Sequence, residues 1–229
     1  LSTFEIYAIV GLMEITYFGH SCFKIKTKTA TVITDPYDPE MVGFKYPKEM
    51  ADIVTISHGH QDHNFLERID GSPFVVSGPG EYEVKDVSIF GIGSYHDAKD
   101  GAERGENTIY LIEAEGLRLC HLGDLGRKIT TAEEEEINGV DILFVPVGGF
   151  FTIGPAEAVE VIRAIEPKMV MPMHFKAAGI NEQAFGKLVG LEDFLKEMGI
   201  ATVQPQPKLV ISPDKLPVEP MVVVLERKA

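Results

Sequence analysis

A chain of 229 residues with 45% hydrophobic and 24% charged side chains can bury a substantial core, and mixed α/β folds of this length often form one domain. Its 21 Lys and Arg against 35 Asp and Glu leave a net charge of −14, which repels nucleic acid at long range; no basic run offsets it, and the cluster KDGAERG (99–105) mixes signs. No run reaches about 18 apolar residues, so no membrane span is expected, and Cys22 and Cys120, in apolar strand-like runs without C-x-x-C spacing, read as the reduced structural thiols of a cytoplasmic protein.

Residues 1–12, LSTFEIYAIVGL, carry Glu5 and no basic flank, so they read as an extra edge strand or a dispensable leader and not as a secretory signal. Met13 opens a fresh strand pattern, and 13–229 reads as a single domain. Short strands follow at EITYF (14–18), CFKIK (22–26) and ATVITD (30–35), separated by turn chemistry at Gly19 and PYDP (36–39). DIVTIS (52–57) reads as a buried strand feeding TISHGHQDHN (55–64), and a short helix is expected over 64–68, before Gly71 and Pro73.

PFVVS, VSIFGIG, NTIYLIEA and LRLCHLG are strand-like. TAEEEEI predicts a helix with EEEE (133–136) on its solvated face, DILFVPVG a strand, and PAEAVEVIRAI a helix with Pro155 in its first turn. KMVMPMHF predicts another strand with its methionines in the core. NEQAFGKLVGLEDFLKEMG predicts a helix broken or weakened near Gly190, and VVVLE (222–226) a closing strand. Mixed strands with helices toward both ends predict an α/β (α+β) fold of two sheets covered by helices, not a βαβ repeat.

The chemistry concentrates in TISHGHQDHN, which holds three of the seven histidines. In an extended segment residues i and i+2 share a side, so His58 and His60 present two imidazoles to one point, with Asp62 continuing the row. Gly59 between them is expected to leave room for close approach. His63 faces away unless the chain turns at 61–64, which brings all four inward. Neutral imidazole and carboxylate are donors that Zn²⁺ accepts. Further ligands must come from elsewhere, and His20, His96, His121 and His174 are the remaining histidines. His96, Asp124 and His174 each follow a strand-like run, where a rigid scaffold can hold them at a common rim.

HGHQDH resembles the H-x-H-x-D-H signature of the metallo-β-lactamase superfamily, and the downstream candidates come in a similar order: His96, then Gly123–Asp124, then His174. FGHSC (18–22) and ITDP (33–36) resemble early motifs of a bacterial and archaeal branch similar to ascorbate-6-phosphate lactonases. The resemblance spans roughly residues 13–176 and is weak over the last fifty or so. It implies an αββα sandwich of two mixed β-sheets flanked by helices, with the site at one edge between the sheets.

The resemblance further implies two divalent metal ions per chain. His58, His60 and His96 hold one, Asp62, His63 and His174 the second, and Asp124 bridges them. Zn²⁺ is the default, and the N/O donor set also admits Mn²⁺ or Fe. A metal-bound hydroxide, oriented by Asp62 as the catalytic residue, cleaves a small, anionic ester or lactone. The alternatives are a phosphodiesterase acting on a cyclic nucleotide, phospholipid or RNA, with the charge against long RNA, and a non-catalytic metal-binding protein. A homo-oligomer is compatible with the family.

His121 competes with His96 as third ligand of the first metal. Along LRLCHLGD the pleat points His121 and Asp124 to opposite sides, which favours His96 and leaves His121 at the rim, behind the ligands or in the core. Around these, His20 lines the pocket or orders a turn, Asp35 is expected to hydrogen-bond a ligand histidine, and Asp97 to support His96. Lys176 is a candidate for holding an anionic substrate group, as are Arg104 and Asn107.

Overall fold

The computed structural model describes residues 11–228. A six-stranded sheet runs in the order Leu209–Ile211, Met13–Gly19, Cys22–Lys26, Thr31–Thr34, Ile53–Ile56, Phe74–Ser77. A seven-stranded sheet runs Met221–Val222, Met169–Met173, Ile142–Pro146, Leu117–His121, Glu106–Ala114, Val87–Tyr95, Gly80–Val84. Both are mixed. The first turns from antiparallel to parallel at Thr31–Thr34, the second from parallel to antiparallel at Leu117–His121.

Strand alternation decides the layering. Met13, Ile15, Phe23 and Ile25 of the first sheet face Tyr110, Ile112, Leu119 and Phe144 of the second, and this shared layer is the central core. The outer side of the second sheet (Ile109, Leu111, Cys120, Leu143, Val145) is covered by helices Thr131–Ile137, Pro155–Ile165 and Leu191–Glu197. The outer side of the first (Phe18, Cys22, Ile33, Val54) is covered by short helices Pro39–Val42 and Glu182–Phe185 with Tyr37, Phe44 and Tyr46. The result is the expected helix–sheet–sheet–helix sandwich. Both cysteines are buried and free. Among the described residues no helix is long and apolar enough to cross a membrane.

Pro155–Ile165 matches its expected span: Pro155 sits at the helix start, and Ala158, Val161, Ile162 and Ile165 bury one face. EEEE (133–136) departs from expectation, because Glu133 is buried. It closes a capping box with Thr130 and takes a bidentate ion pair from Arg127 at 2.7 and 2.8 Å. The expected helix after Asn181 is two short ones, with Gly190 as N-cap of the second. Of VVVLE only Val222 lies in regular strand, the short Met221–Val222, although Val223, Val224 and Leu225 are buried. Of the expectation for residues 1–12, only Gly11 and Leu12 are among the described residues; the sheet edge beside Met13–Gly19 is taken by Leu209–Ile211.

Candidate metal centre

The site is built where strands of both sheets end at one rim. Ile53–Ile56 is fully buried and pairs with Thr31–Thr34. Beyond it the chain bends, and a turn closes as the His63 N–H donates to His60 O at 2.9 Å. This turn, not an extended segment, gathers His58, His60, Asp62 and His63. Gly59 does not serve close approach as expected, since a Cβ there would meet nothing within 4 Å.

Behind the turn lies Asp35, at the end of Thr31–Thr34. Its carboxylate accepts from the Ser57 N–H (2.8 Å), the Ser57 hydroxyl (2.6 Å) and His63 Nδ1 (2.9 Å). With its own proton given to Asp35, Ser57 Oγ accepts from His58 Nδ1 at 2.9 Å. Both imidazoles thereby carry their proton on Nδ1 and turn an Nε2 lone pair into the site.

Asp124 follows Leu117–His121 through Leu122 and Gly123. Gly123 has φ +58°, and a Cβ there would lie 2.3 Å from Asn107 Oδ1 and 2.6 Å from Ser57 Cβ, so only glycine fits. Asn107 Oδ1 accepts from the Asp124 N–H at 2.9 Å, and its amide donates to Leu122 O and Ser94 Oγ. Asn107 is thus a buried clamp and not a substrate contact. His96 ends Val87–Tyr95, and His174 follows Met169–Met173 with its N–H donated to His20 O.

The side chains converge on Asp124. Its Oδ2 lies 3.1 Å from His174 Nε2, 3.3 Å from His63 Nε2, 3.3 Å from His96 Nε2 and 4.0 Å from His58 Nε2. The His60 ring is 4.7 Å from that of His58 and 5.2 Å from that of His96. Asp62 Oδ2 is 3.0 Å from His20 Nε2 and 3.5 Å from His63 Nε2. Three sets have donor atoms close enough to share an ion: His58, His60 and His96; His20, Asp62, His63 and His174; and His58, His63 and Asp124.

The donors fit divalent metal ions. His58 Nε2, His63 Nε2, His174 Nε2 and Asp124 Oδ1 are buried without a hydrogen-bond partner. Each such orphan costs about 1–3 kcal/mol, and several at one point call for a common ligand. Burial pulls His58 down to about 3 and His20 to about 4, so both are neutral. Burial alone raises Asp62 and Asp124, but neighbouring histidines outweigh it and hold both as carboxylates. His63 goes the other way: burial lowers it, but Asp124, Asp62 and Asp35 together raise it well above the ordinary range. A cation bound there displaces a proton.

The remaining expected residues fall into place around this set. His121 belongs to none of the three donor sets: its Nε2 donates to Ser21 O at 2.9 Å, its Nδ1 accepts from the Gly123 N–H, and its ring packs on Phe23 and Phe144 in the core. Asp97 does not support His96. Its carboxylate accepts four backbone N–H groups, from Lys99, Gly101, Glu103 and Arg104, and these pull its pKa down to about 2 against the effect of burial. Lys176 Nζ is engaged by Glu182 and Gly186 O. His20, with φ +54° and its ring 4.1 Å from that of His174, is drawn into the donor cluster itself.

A cleft of about 500 Å³ opens over His60, Asp62, His96 and Asp124, walled by Arg104, Phe151 and Phe185. Ser57 and the two phenylalanines have no signal in the sequence beyond their position: Ser57 directly precedes the motif, Phe151 arrives from a turn and Phe185 from helix Glu182–Phe185.

A family model described as a β-lactamase superfamily domain matches residues 14–174. A metal-dependent hydrolase of Lysinibacillus sphaericus is 30% identical over 201 residues, covering 75% of this chain and 88% of that protein. One from Thermococcus onnurineus is 27% identical over 209 residues, covering 78% and 93%. A crystal structure from Thermotoga maritima, described as a Zn-dependent hydrolase of the metallo-β-lactamase superfamily, is 38% identical with a TM-score of 0.76, covering 93% of this chain and 98% of that one. With its sandwich, its rim of histidines and carboxylates and these relatives, the chain belongs to the metallo-β-lactamase superfamily, among its metal-dependent hydrolases.

Proposed function

We propose that the protein is a two-metal hydrolase that cleaves a small, anionic ester or lactone. In this reading His58, His60 and His96 hold one cation, Asp62, His63 and His174 the other, and Asp124 is shared. The observation that carries it is Asp124 Oδ2, with four histidine Nε2 atoms from three strand ends 3.1–4.0 Å away. Zn²⁺ is the default, with Mn²⁺ or Fe compatible; such ions would supply Lewis acidity and bring the pKa of water to about 7.

The chain's own groups do the rest. Asp35 and Ser57 fix the protonation of His63 and His58, so that both Nε2 atoms stay available as donors. Asp62, hydrogen-bonded by His20 and held ionised, is the acceptor that orients a nucleophile. The cleft volume suits a small substrate and not a polymer. Two buried free thiols support a reducing, cytoplasmic setting, and the three contiguous cores support one domain over 13–229.

The test is a substrate panel of lactones and carboxylic esters beside bis(p-nitrophenyl) phosphate, with protein loaded with Zn²⁺ or Mn²⁺ and Asp62→Asn as control. Ester or lactone turnover that vanishes in Asp62→Asn supports the reading. Turnover of the phosphodiester alone replaces the ester by a phosphodiester. Bound metal with no turnover on any substrate makes the protein a binder and not an enzyme.

A further inference from the structure

Asp97 and Arg104 connect the metal rim to the wall of the cleft. Asp97 directly follows His96, and its four accepted N–H groups tie down the 97–105 loop. The loop closes as the Gly105 N–H donates to Gly101 O and the His96 N–H to Gly105 O. Arg104 therefore rises from the same hydrogen-bonded unit that places His96, and it lines the cleft with His60, Asp62, His96 and Asp124.

The guanidinium stands 5.8 Å over the ring of Phe151, which packs in turn against Phe185. Among the described residues it has no carboxylate partner. Its neighbour Glu103, which also lines the cleft, is paired with Lys99 at 2.6 Å. A guanidinium held over a ring with no carboxylate partner keeps N–H groups free to fork a carboxylate or phosphate. Arg104 is the one cation among the described residues that line the cleft. With a net charge of −14, an anionic ligand is repelled at long range and needs such a local cation.

Resting on the hydrolase reading above, we infer that Arg104 is the specificity-determining residue of this cleft. It binds a terminal carboxylate or phosphate of the substrate, whose apolar middle lies on Phe151 and Phe185 while its scissile carbonyl faces Asp62 and Asp124. The substrate class is thus a small ester or lactone with an anionic end separated from the reacting bond by an apolar segment.

The test uses metal-loaded protein and p-nitrophenyl esters of matched reach: the neutral hexanoate, the adipate half-ester ending in a carboxylate, and a phosphonate-ended analogue that separates phosphate from carboxylate recognition. Wild type prefers at least one charged ester in kcat/KM. Arg104→Ala lowers that preference by about 10–100-fold, and Arg104→Lys keeps part of it. Where esters are cleaved, a preference unchanged in Arg104→Ala, or none in wild type, overturns the inference. Calorimetric titration with adipate reads the same residue without turnover. Binding at least about tenfold weaker in Arg104→Ala upholds Arg104 even if no ester is cleaved, in which case the hydrolase reading alone fails; equal binding overturns Arg104 instead.

Discussion

Asp35 Oδ2 lies 2.9 Å from His63 Nδ1, and neither side chain is exposed to solvent. The same oxygen accepts the Ser57 hydroxyl, which holds His58, so one carboxylate behind the turn orients histidines assigned to both metal positions. Asp35→Ala should therefore lower metal affinity at both positions, by about 10–100-fold. It also strands His63 Nδ1, at about 1–3 kcal/mol of stability. Competition against a chelator measures the first and urea unfolding the second; metal affinity equal to wild type would contradict the orienting role.

His60 is exposed at the rim, while His58 and His63 are packed behind it. His60→Ala should remove about one metal ion per chain and abolish turnover, yet change unfolding free energy by no more than about 0.5 kcal/mol. Metal analysis beside a urea titration reads both. Global unfolding at 25 °C would mean that the rim holds the fold together.

Gly123 makes the left-handed turn before Asp124. A methyl group there meets Asn107 Oδ1 and Ser57 with no flexible neighbour to yield, at φ +58°. Gly123→Ala should cost about 1–3 kcal/mol and displace Asp124, lowering bound metal as well as Tm. Wild-type metal content in this variant would show that Asp124 is not held by that turn.

Glu133 lies away from the site. Burial raises its pKa, but Arg127 and the Thr130 N–H and hydroxyl bring it below the usual glutamate range. A carboxylate depressed in the folded state stabilises above the unfolded pKa of about 4.3, and that stability is lost as pH falls through the folded value. Glu133→Gln should be less stable than wild type by about 1 kcal/mol at pH 7, with the gap narrowing below about pH 4. Urea midpoints at both pH values decide it; a gap independent of pH would point to packing instead of charge.

Much of the site was legible because its densest part is local. HGHQDH is six consecutive residues, and His96, Asp124 and His174 each close a strand whose apolar pattern was readable. What the sequence hid is tertiary. Asp97 sits beside His96 in the chain but turns its carboxylate to its own loop, because four nearby N–H groups satisfy it better than one imidazole. Lys176, two residues after His174, finds Glu182. Strand Gly80–Val84 is hard to read because GEYEV, an edge strand half open to solvent, alternates over only two apolar side chains, Tyr82 and Val84. Leu209–Ile211 was missed because three residues carry too little pattern. Glu133 read as solvated because nothing in EEEE distinguishes the one that meets Arg127.

The central claim, a pair of cations sharing Asp124, is tested most directly by metal stoichiometry in wild type and Asp124→Ala after loading and desalting. The account predicts about two ions per wild-type chain and at most one, weakly held, in the variant, with the fold retained by circular dichroism. Two ions retained by Asp124→Ala, or no more than one in wild type, would contradict it.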